Sequence, residues 1–402
     1  MTQGVRVTRG LMTEEILTVK KLYLLLFFLL FLWNCTTAAL AAEFCVTNSV
    51  ELQSALDDAE SNNQSDTIRI ATGSYNTPSG GFRFLPVFSE DAFDLTIIGG
   101  WSAFFENPCG QLLVNDPELT VLNGGASDRV LEIRLPQIGS VEVRNLSFIN
   151  GLANDSFGGG GGLRAFQFSG LTYAGTLTVE NNIFLLNSAE SGGGLYIGSL
   201  AGTETVNVRV LNNLFVSNQA TVLQAGAGVI QVNSPQPRGE IILDPRPAVT
   251  LAHNTVVNNS SAQTIGGFWL VGNVTKLWVV SNNLWGNSGD DLTWLVNSTT
   301  RVLRNNNIED LTTTPSPTSD VENISVVPEY VDCGALCVDR IPAPDSPLID
   351  GGWAPFGIPG VFPWSLPDTD LNGGPRVRGA GVDIGAYEGI GDRVFSDRFE
   401  ND

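Results

Sequence analysis

The stretch Thr176-Leu177-Thr178-Val179-Glu180-Asn181-Asn182-Ile183-Phe184-Leu185, followed after a short gap by Gly192-Gly193-Gly194-Leu195-Tyr196-Ile197, decides the fold. It reads as strand, Asn step, strand, glycine turn, strand. The same order returns along the chain. Asn212-Asn213-Leu214-Phe215 and Asn282-Asn283-Leu284-Trp285 repeat the Asn step, His253-Asn254-Thr255-Val256 is a looser copy between them, and Arg144-Asn145-Leu146-Ser147 precedes them all. Glycine clusters follow at Gly158 to Gly162, at Gly226 and Gly228, and at Gly266-Gly267. The Asn residues that precede the aliphatic or Thr stand at 145, 182, 213, 254, 283 and 307, at intervals of 37, 31, 41, 29 and 24 residues. Unequal intervals around a constant motif describe one repeated coil with loops of varying length.

Such a repeat predicts an all-β chain, a single-stranded right-handed parallel β-helix (solenoid) in which each turn lays its strands on those of the turn before, ~4.8 Å away. Asn tolerates the left-handed bend between two strands, and its amide can donate to and accept from the Asn one coil above and below. Ile183, Leu214 and Leu284 are then expected to stack in register inside the core, while the glycines allow a second bend and close backbone approach. Leu52, Ala55, Leu56 and Ala59 share one helical stripe behind Ser49 as N-cap, which predicts an N-terminal capping helix over the first open end. After about residue 310 the chain changes: Thr312 to Ser319 is rich in Thr, Pro and Ser, and the loop-rich remainder, with Gly381 to Glu388 as its last ordered element, is expected to form a C-terminal cap over the second end. The expected divisions are 1–42, 43–325, 326–390 and a tail at 391–402.

Residues 1–42 read as a secretory signal: Lys20-Lys21, an apolar run from Leu22 to Trp33, and an Ala-x-Ala step at Ala39 to Ala41. A run of that length is too short to span a bilayer, which needs ~20 residues. Leu32-Trp33-Asn34-Cys35 has the outline of a lipoprotein box, with Trp and Asn where small residues are wanted. Cleavage removes four basic residues (Arg6, Arg9, Lys20, Lys21) and two acidic ones (Glu14, Glu15), leaving 17 basic and 40 acidic residues, a net charge of −23. A field of that sign repels nucleic acid and anionic membranes and handicaps binding of polyanions unless a divalent cation bridges the two. Four cysteines remain, Cys45, Cys109, Cys333 and Cys337; an exported chain favours disulfides, with three connectivities possible and the pairs 45 with 109 and 333 with 337 expected.

Three segments near the end, Asp345-Ser346-Pro347-Leu348-Ile349-Asp350-Gly351-Gly352, Asp368-Thr369-Asp370-Leu371-Asn372-Gly373-Gly374-Pro375-Arg376 and Val382-Asp383-Ile384-Gly385-Ala386-Tyr387-Glu388, resemble the C-terminal signature of bacterial secreted right-handed parallel β-helix proteins of the choice-of-anchor Q type, within the pectin-lyase-like fold. The opening is similar too, through Thr67-Ile68-Arg69-Ile70-Ala71-Thr72-Gly73-Ser74-Tyr75 and Ile97-Ile98-Gly99-Gly100-Trp101. The resemblance implies export, an extracellular or cell-surface place with outer-membrane association included, and no established reaction. The tail from Val394 to Glu400 is similar to a short Phe-x-x-x-Phe-Glu ending common on secreted bacterial proteins.

The chemistry-bearing residues are sparse. Elimination from a uronate needs a strong base, and Lys276, the only lysine after cleavage, reads as a surface charge. Hydrolysis needs two carboxylates flanking the bond, for which Asp290 with Asp291 is the candidate pair; Asp244 with Arg246 is the candidate for an enzyme with a site of another kind. The Asn-Thr-Asp, Gly-His-Gly and Arg-Ile-Lys motifs of polygalacturonases are absent from the sequence. His253, the sole histidine, occupies the first Asn slot of the repeat, and a ladder position explains it without catalysis. Asp368, Asp370 and Asn372 have the first half of a calcium loop, but Gly379 stands where a bidentate Glu belongs, so no cofactor is expected beyond a possible Ca²⁺ there. Trp269, Trp278, Trp285 and Trp294 lie close in sequence, and outward-facing indoles could stack on sugar rings. The expected role is therefore structural or binding, adhesin-like or glycan-binding, by a monomer whose partner is an extracellular polysaccharide; the other reading is a carbohydrate-active enzyme, a polysaccharide lyase or glycoside hydrolase.

Overall fold

The computed structural model describes residues 41–389 apart from 63, 88–92, 105, 114, 155–157, 168–172, 201–205, 233–247, 333–339 and 355–363. Residues 1–40 of the expected signal segment with its lipoprotein box, Asp244, Arg246, Cys333, Cys337 and the tail lie outside the described residues, while Ala42, the last residue of that segment, opens the first strand of sheet A. Three parallel sheets run the length of the coil: sheet A with ten strands, and sheets B and C with eight each. A four-stranded ribbon joins B to C in the middle coils. One coil passes from A (Gly175–Glu180) to B (Ile183–Leu185), through the ribbon (Ser188–Ala189), to C (Leu195–Leu200). The fold is a parallel β-helix, as the repeat predicts.

Strand alternation sends every second residue inward, and exact register stacks like on like. In sheet A the inner row runs Ile97, Val143, Val179, Val210, Leu251, Val279. In sheet B, Phe148, Phe184 and Phe215 stack face to face, with ring centroids 4.9 and 4.6 Å apart, and Val256 and Leu284 continue the row. Burying each such side chain contributes roughly 1.5–3 kcal/mol, which makes the core the main stabilising term.

The expected stack of Ile183, Leu214 and Leu284 is corrected. Leu284 lies in the core row, but Ile183 and Leu214 point outward. The cause is a one-residue shift of frame: Ser281 and Asn282, not Asn282 and Asn283, are the structural equivalents of Asn181 and Asn182. Asn181, Asn212, His253 and Ser281 all take positive φ, between 54° and 56°.

The five B strands from Ser147–Ile149 to Asn283–Trp285 are each bracketed by two such corners, the second at Asn150, Leu186, Ser217, Asn258 and Gly286. The residue after the first corner forms an inner ladder, in which the backbone N and Nδ2 of Asn182, Asn213, Asn254, Asn282 and Asn306 each donate to Oδ1 of the Asn one coil on, ending at Asn323, at 2.8 to 3.1 Å. Five residues further along, a second ladder links Asn187, Asn218, Asn259 and Asn287 in the same manner. Both ladders end on a carboxylate, Asp320 for the first and Asp291 for the second, which accepts the last amide. A third, outer ladder runs the other way, from Asn212 to Asn181 to Asn145 to the Gly99 carbonyl.

The capping helix, α1, spans Ser49–Ala59 and buries Leu52, Ala55, Leu56 and Ala59. Its N-cap is Asn48 rather than Ser49: the Asn48 Oδ1 accepts from the amides of Val50 and Glu51 at 3.1 and 3.0 Å. The helix covers the first strands, and the Gln53 side chain exchanges two 3.0 Å hydrogen bonds with the Arg83 backbone, satisfying part of the open edge of sheet C. Cys45 and Cys109 form a disulfide, with Cα atoms 5.7 Å apart. It closes a loop of 64 residues. Replacing both cysteines by Ala is expected to cost ~4 kcal/mol in a chain-entropy account, measured as a lower urea midpoint; an unchanged midpoint would refute that estimate.

The loop-rich C-terminal region meets the last coil, where Val326 exchanges two hydrogen bonds with the Asn307 side chain and the Gly351 carbonyl accepts from Asn305, and it also lies along a flank. Leu371, Ala386 and Tyr387 pack on the outward Ile183, Leu214, Val216 and Val257 of sheet B. Trp364 covers Leu211, Ala252 and Val280 of sheet A. The outward aliphatics of the Asn steps are thus half of a second core.

Candidate functional site

The three C-terminal segments converge on Arg376, whose side chain is fully buried. Its Nη2 donates to His253 Nδ1 at 2.7 Å and to the carbonyls of Asp383 and Gly385; Nη1 reaches Asn212 Oδ1 at 3.4 Å, and Nε lies 3.3 Å from Glu388 Oε1. Asp370 accepts from the amides of Gly374 and Glu388, and Asp383 from those of Asp350 and Gly389. Arg376 therefore bridges Asn212 and His253 where the outer ladder stops.

His253 does hold the Asn slot, at φ 55°, but its partner is Arg376 rather than another Asn. Burial, and then the facing guanidinium, hold the imidazole well below its ordinary pKa, so it is neutral. A guanidinium can only donate, so Nδ1 accepts and the proton sits on Nε2. With its lone pair occupied and no exposed surface, this histidine has nothing to offer a substrate as a base.

Asp290 and Asp291 are successive strand residues, so they point to opposite faces. Asp291 is buried; its Oδ1 takes the Asn287 amides and its Oδ2 the Asp310 amide, and burial raises its pKa to about 6. Asp290 accepts from Thr293 Oγ1 at 2.7 Å. The structure does not bring the two together around a substrate bond. Asp370 is likewise committed to backbone amides inside the knot, while Asp368 and Asn372 are exposed. Among the described residues no group of three or more His, Cys, Asp or Glu side chains is placed to hold a metal ion.

The four tryptophans part company. Trp294 is in the core, its Nε1 donating to the Pro315 carbonyl at 2.8 Å. Trp285 faces outward from sheet B against the C-terminal cap, and Trp278 faces outward from sheet A beside Trp353 and Trp364. Trp269 faces outward from sheet C, half-buried, where register places Arg164, Tyr196, Val229, Trp269 and Thr293 in one cross-strand row. Tyr196 was not a candidate in the sequence; the signal for it is the pair of glycines around it. A Cβ on Gly198 would come within 2.2 Å of the Tyr196 ring and one on Gly159 within 2.6 Å, so the ring lies down in space that the glycines clear. Its Oη donates to Gln231 Oε1 on the next strand, 3.1 Å away. Tyr196 and Trp269 flank Val229, which is only 1% exposed although it faces outward. The two rings are two coils apart, ~9.6 Å at the usual strand spacing.

Beyond Tyr196 the row closes in an ion pair, Arg164 to Glu132 at 2.7 Å, with Arg129 at 3.4 Å from the same carboxylate oxygen. The outer face of sheet A carries a different cluster: Glu142 pairs with Arg144 at 3.0 Å, and Glu180, diagonal to Glu142 across the register, is raised to about 7 by burial and by the Glu142 charge. A pocket of about 20 Å³ between α1 and Leu95 has room for a water molecule and not for a sugar. Comparison with protein-family models, curated proteins and solved structures finds no match to this chain.

Proposed function

We propose that this chain is exported and acts at the cell surface or outside the cell as a β-helix protein of the choice-of-anchor Q type, within the pectin-lyase-like fold, that binds a neutral polysaccharide without cleaving it. The observation that carries the reading is the row on sheet C, where Tyr196 and Trp269 lie over Val229 two coils apart. Flat rings at that spacing suit the apolar faces of sugars along an extended chain parallel to the coil axis. A net charge of −21 on the whole chain opposes a polyanion. The Cys45–Cys109 disulfide and the charged-then-apolar start at Lys20 to Ala42 support export. No helix among the described residues is long and apolar enough to cross a membrane.

The test is retention of the purified chain on a panel of neutral polysaccharides and on pectate, with assay of the supernatant for reducing and unsaturated ends. Retention on a neutral polymer without product is expected. Trp269→Leu and Tyr196→Leu, which keep Val229 covered, are each expected to weaken retention about tenfold. Retention on none of the polymers, or only on pectate, would sink the reading.

A second reading, a carbohydrate-active enzyme, is favoured by Glu180. A carboxyl that keeps its proton near neutrality, diagonal to a second carboxyl, Glu142, that pairs with Arg144, offers the two groups that glycoside hydrolysis requires. Product release that Glu180→Gln abolishes would establish this reading in place of the first.

A further inference from the structure

We propose that residues 345–354 and 364–389 form a strap that is held shut over the corner between sheets A and B at acidic and neutral pH and opens as the solution becomes alkaline, uncovering the apolar strip of Ile183, Leu214, Val216 and Val257. The inference rests on the geometry of the Arg376 knot and is independent of the polysaccharide reading.

The strap meets the coil through two kinds of contact. One is apolar, Leu371, Ala386 and Tyr387 on the strip. The other is a set of hydrogen bonds to the corner: Asn212 Nδ2 to the Thr369 carbonyl at 3.2 Å, the Gly385 amide to the Ser281 carbonyl at 2.8 Å, the Ala386 amide to Thr255 Oγ1 at 2.9 Å, and Asn305 Nδ2 to the Gly351 carbonyl at 2.9 Å. The knot holds the three C-terminal segments in the shape that makes these contacts possible. Within it, Arg376 faces three acids, Asp370, Asp383 and Glu388, each no more than 2% exposed. Asp350 adds a further negative charge next to Asp383. The coil side contributes Asn212 and a neutral His253, so no second positive charge comes from there.

The half-buried Arg378 adds a guanidinium beside Gly374 and Asp370 at the edge of the knot, but a single fully buried cation among three buried anions does not offset them, so the shut strap retains a proton. Burial pushes Glu388 up to about 8 and raises Asp383 as well, against the pull of Arg376. In the open strap Glu388 returns to the ordinary range, near 4.3. A carboxyl whose pKa is higher in the shut form stabilises that form fully below the open-state value. Its contribution then falls as pH rises and is gone above about 8. Loss of one linked proton changes the shut-to-open ratio by up to about tenfold per pH unit inside that window.

Hydrogen exchange on the whole chain at pH 5.5, 7 and 8.5, corrected for intrinsic rates, tests this. The amides of Leu371, Ile384, Gly385 and Ala386 are expected to lose at least tenfold in protection between the first and last pH, while those of Asn213, Thr255 and Asn283 in the coil hold theirs. Glu388→Gln, neutral at every pH, should abolish the loss. Strap and coil amides losing protection together, or strap amides losing none, overturns the proposal on the wild-type chain alone, whether or not the variant folds. A loss that persists in folded Glu388→Gln overturns it too.

Discussion

Replacing Asn254 by Ala is expected to destabilise the protein by about 3–5 kcal/mol, because the change orphans several buried groups at once. Its Oδ1 accepts from both the backbone N and the Nδ2 of Asn213, and its Nδ2 donates to the carbonyls of Val210 and Ala252 and to Asn282 Oδ1. The site is fully buried, so water cannot substitute. Asn254→Asp should be worse than Ala, since a carboxylate keeps the acceptor, loses the donor and adds a buried charge. Asn372→Ala, at an exposed position in the cap, is the control and should stay within about 0.5 kcal/mol of wild type. Urea midpoints decide it; equal costs at 254 and 372 would show that the ladder is ornament and the core alone holds the coil.

The coil was legible because its signals are local. Asn at a bend, alternation along a strand and glycine at a close approach each act within a few residues, and the repeat multiplies them. The second ladder was equally open to view as Asn-x4-Asn at 182 and 187, 213 and 218, 254 and 259, and 282 and 287. The Asn-Asn pairs mask it, and at 282–283 the pair sets the frame one residue late. Triple Asn at 305 to 307 shows the limit, since only φ tells that Asn305 makes the bend and Asn306 the ladder. The site was less legible. That Arg376 would reach His253 across 123 residues follows from tertiary placement alone, and nothing in the spacing of the three C-terminal segments says which flank they cover. The tryptophans failed as a group for a related reason: proximity in sequence on successive coils leaves each indole on the sheet its own strand belongs to.

Gly267→Ala is expected to destabilise by about 3 kcal/mol, from overpacking against backbone that cannot yield. The strand Ile265–Asn273 pairs with Asp290–Asn297 through a bulge, with Ile265 opposite Asp290 and Phe268 opposite Leu292, so two glycines face the single residue Asp291. A Cβ at Gly267 would stand 1.8 Å from the Asp291 carbonyl oxygen and 2.5 Å from its carbon. Asp291 is the carboxylate on which the second Asn ladder ends, and it holds the Asn287 side chain and the amides of Asn287 and Asp310. Moving it to admit a methyl group would break that terminus, so the steric cost couples to the ladder through one residue. Gly286 separates the two uses of glycine: it has φ 68° but its nearest neighbour to an added Cβ is 3.6 Å away, so Gly286→Ala should cost only the left-handed strain of about 1–2 kcal/mol. In the double variant Gly267→Ala with Asp291→Asn, the two costs should fall short of additive by more than about 0.5 kcal/mol if the carbonyl shift and the ladder end are one event. Strict additivity in the denaturation cycle would mean that the bulge absorbs the methyl group without disturbing Asn287.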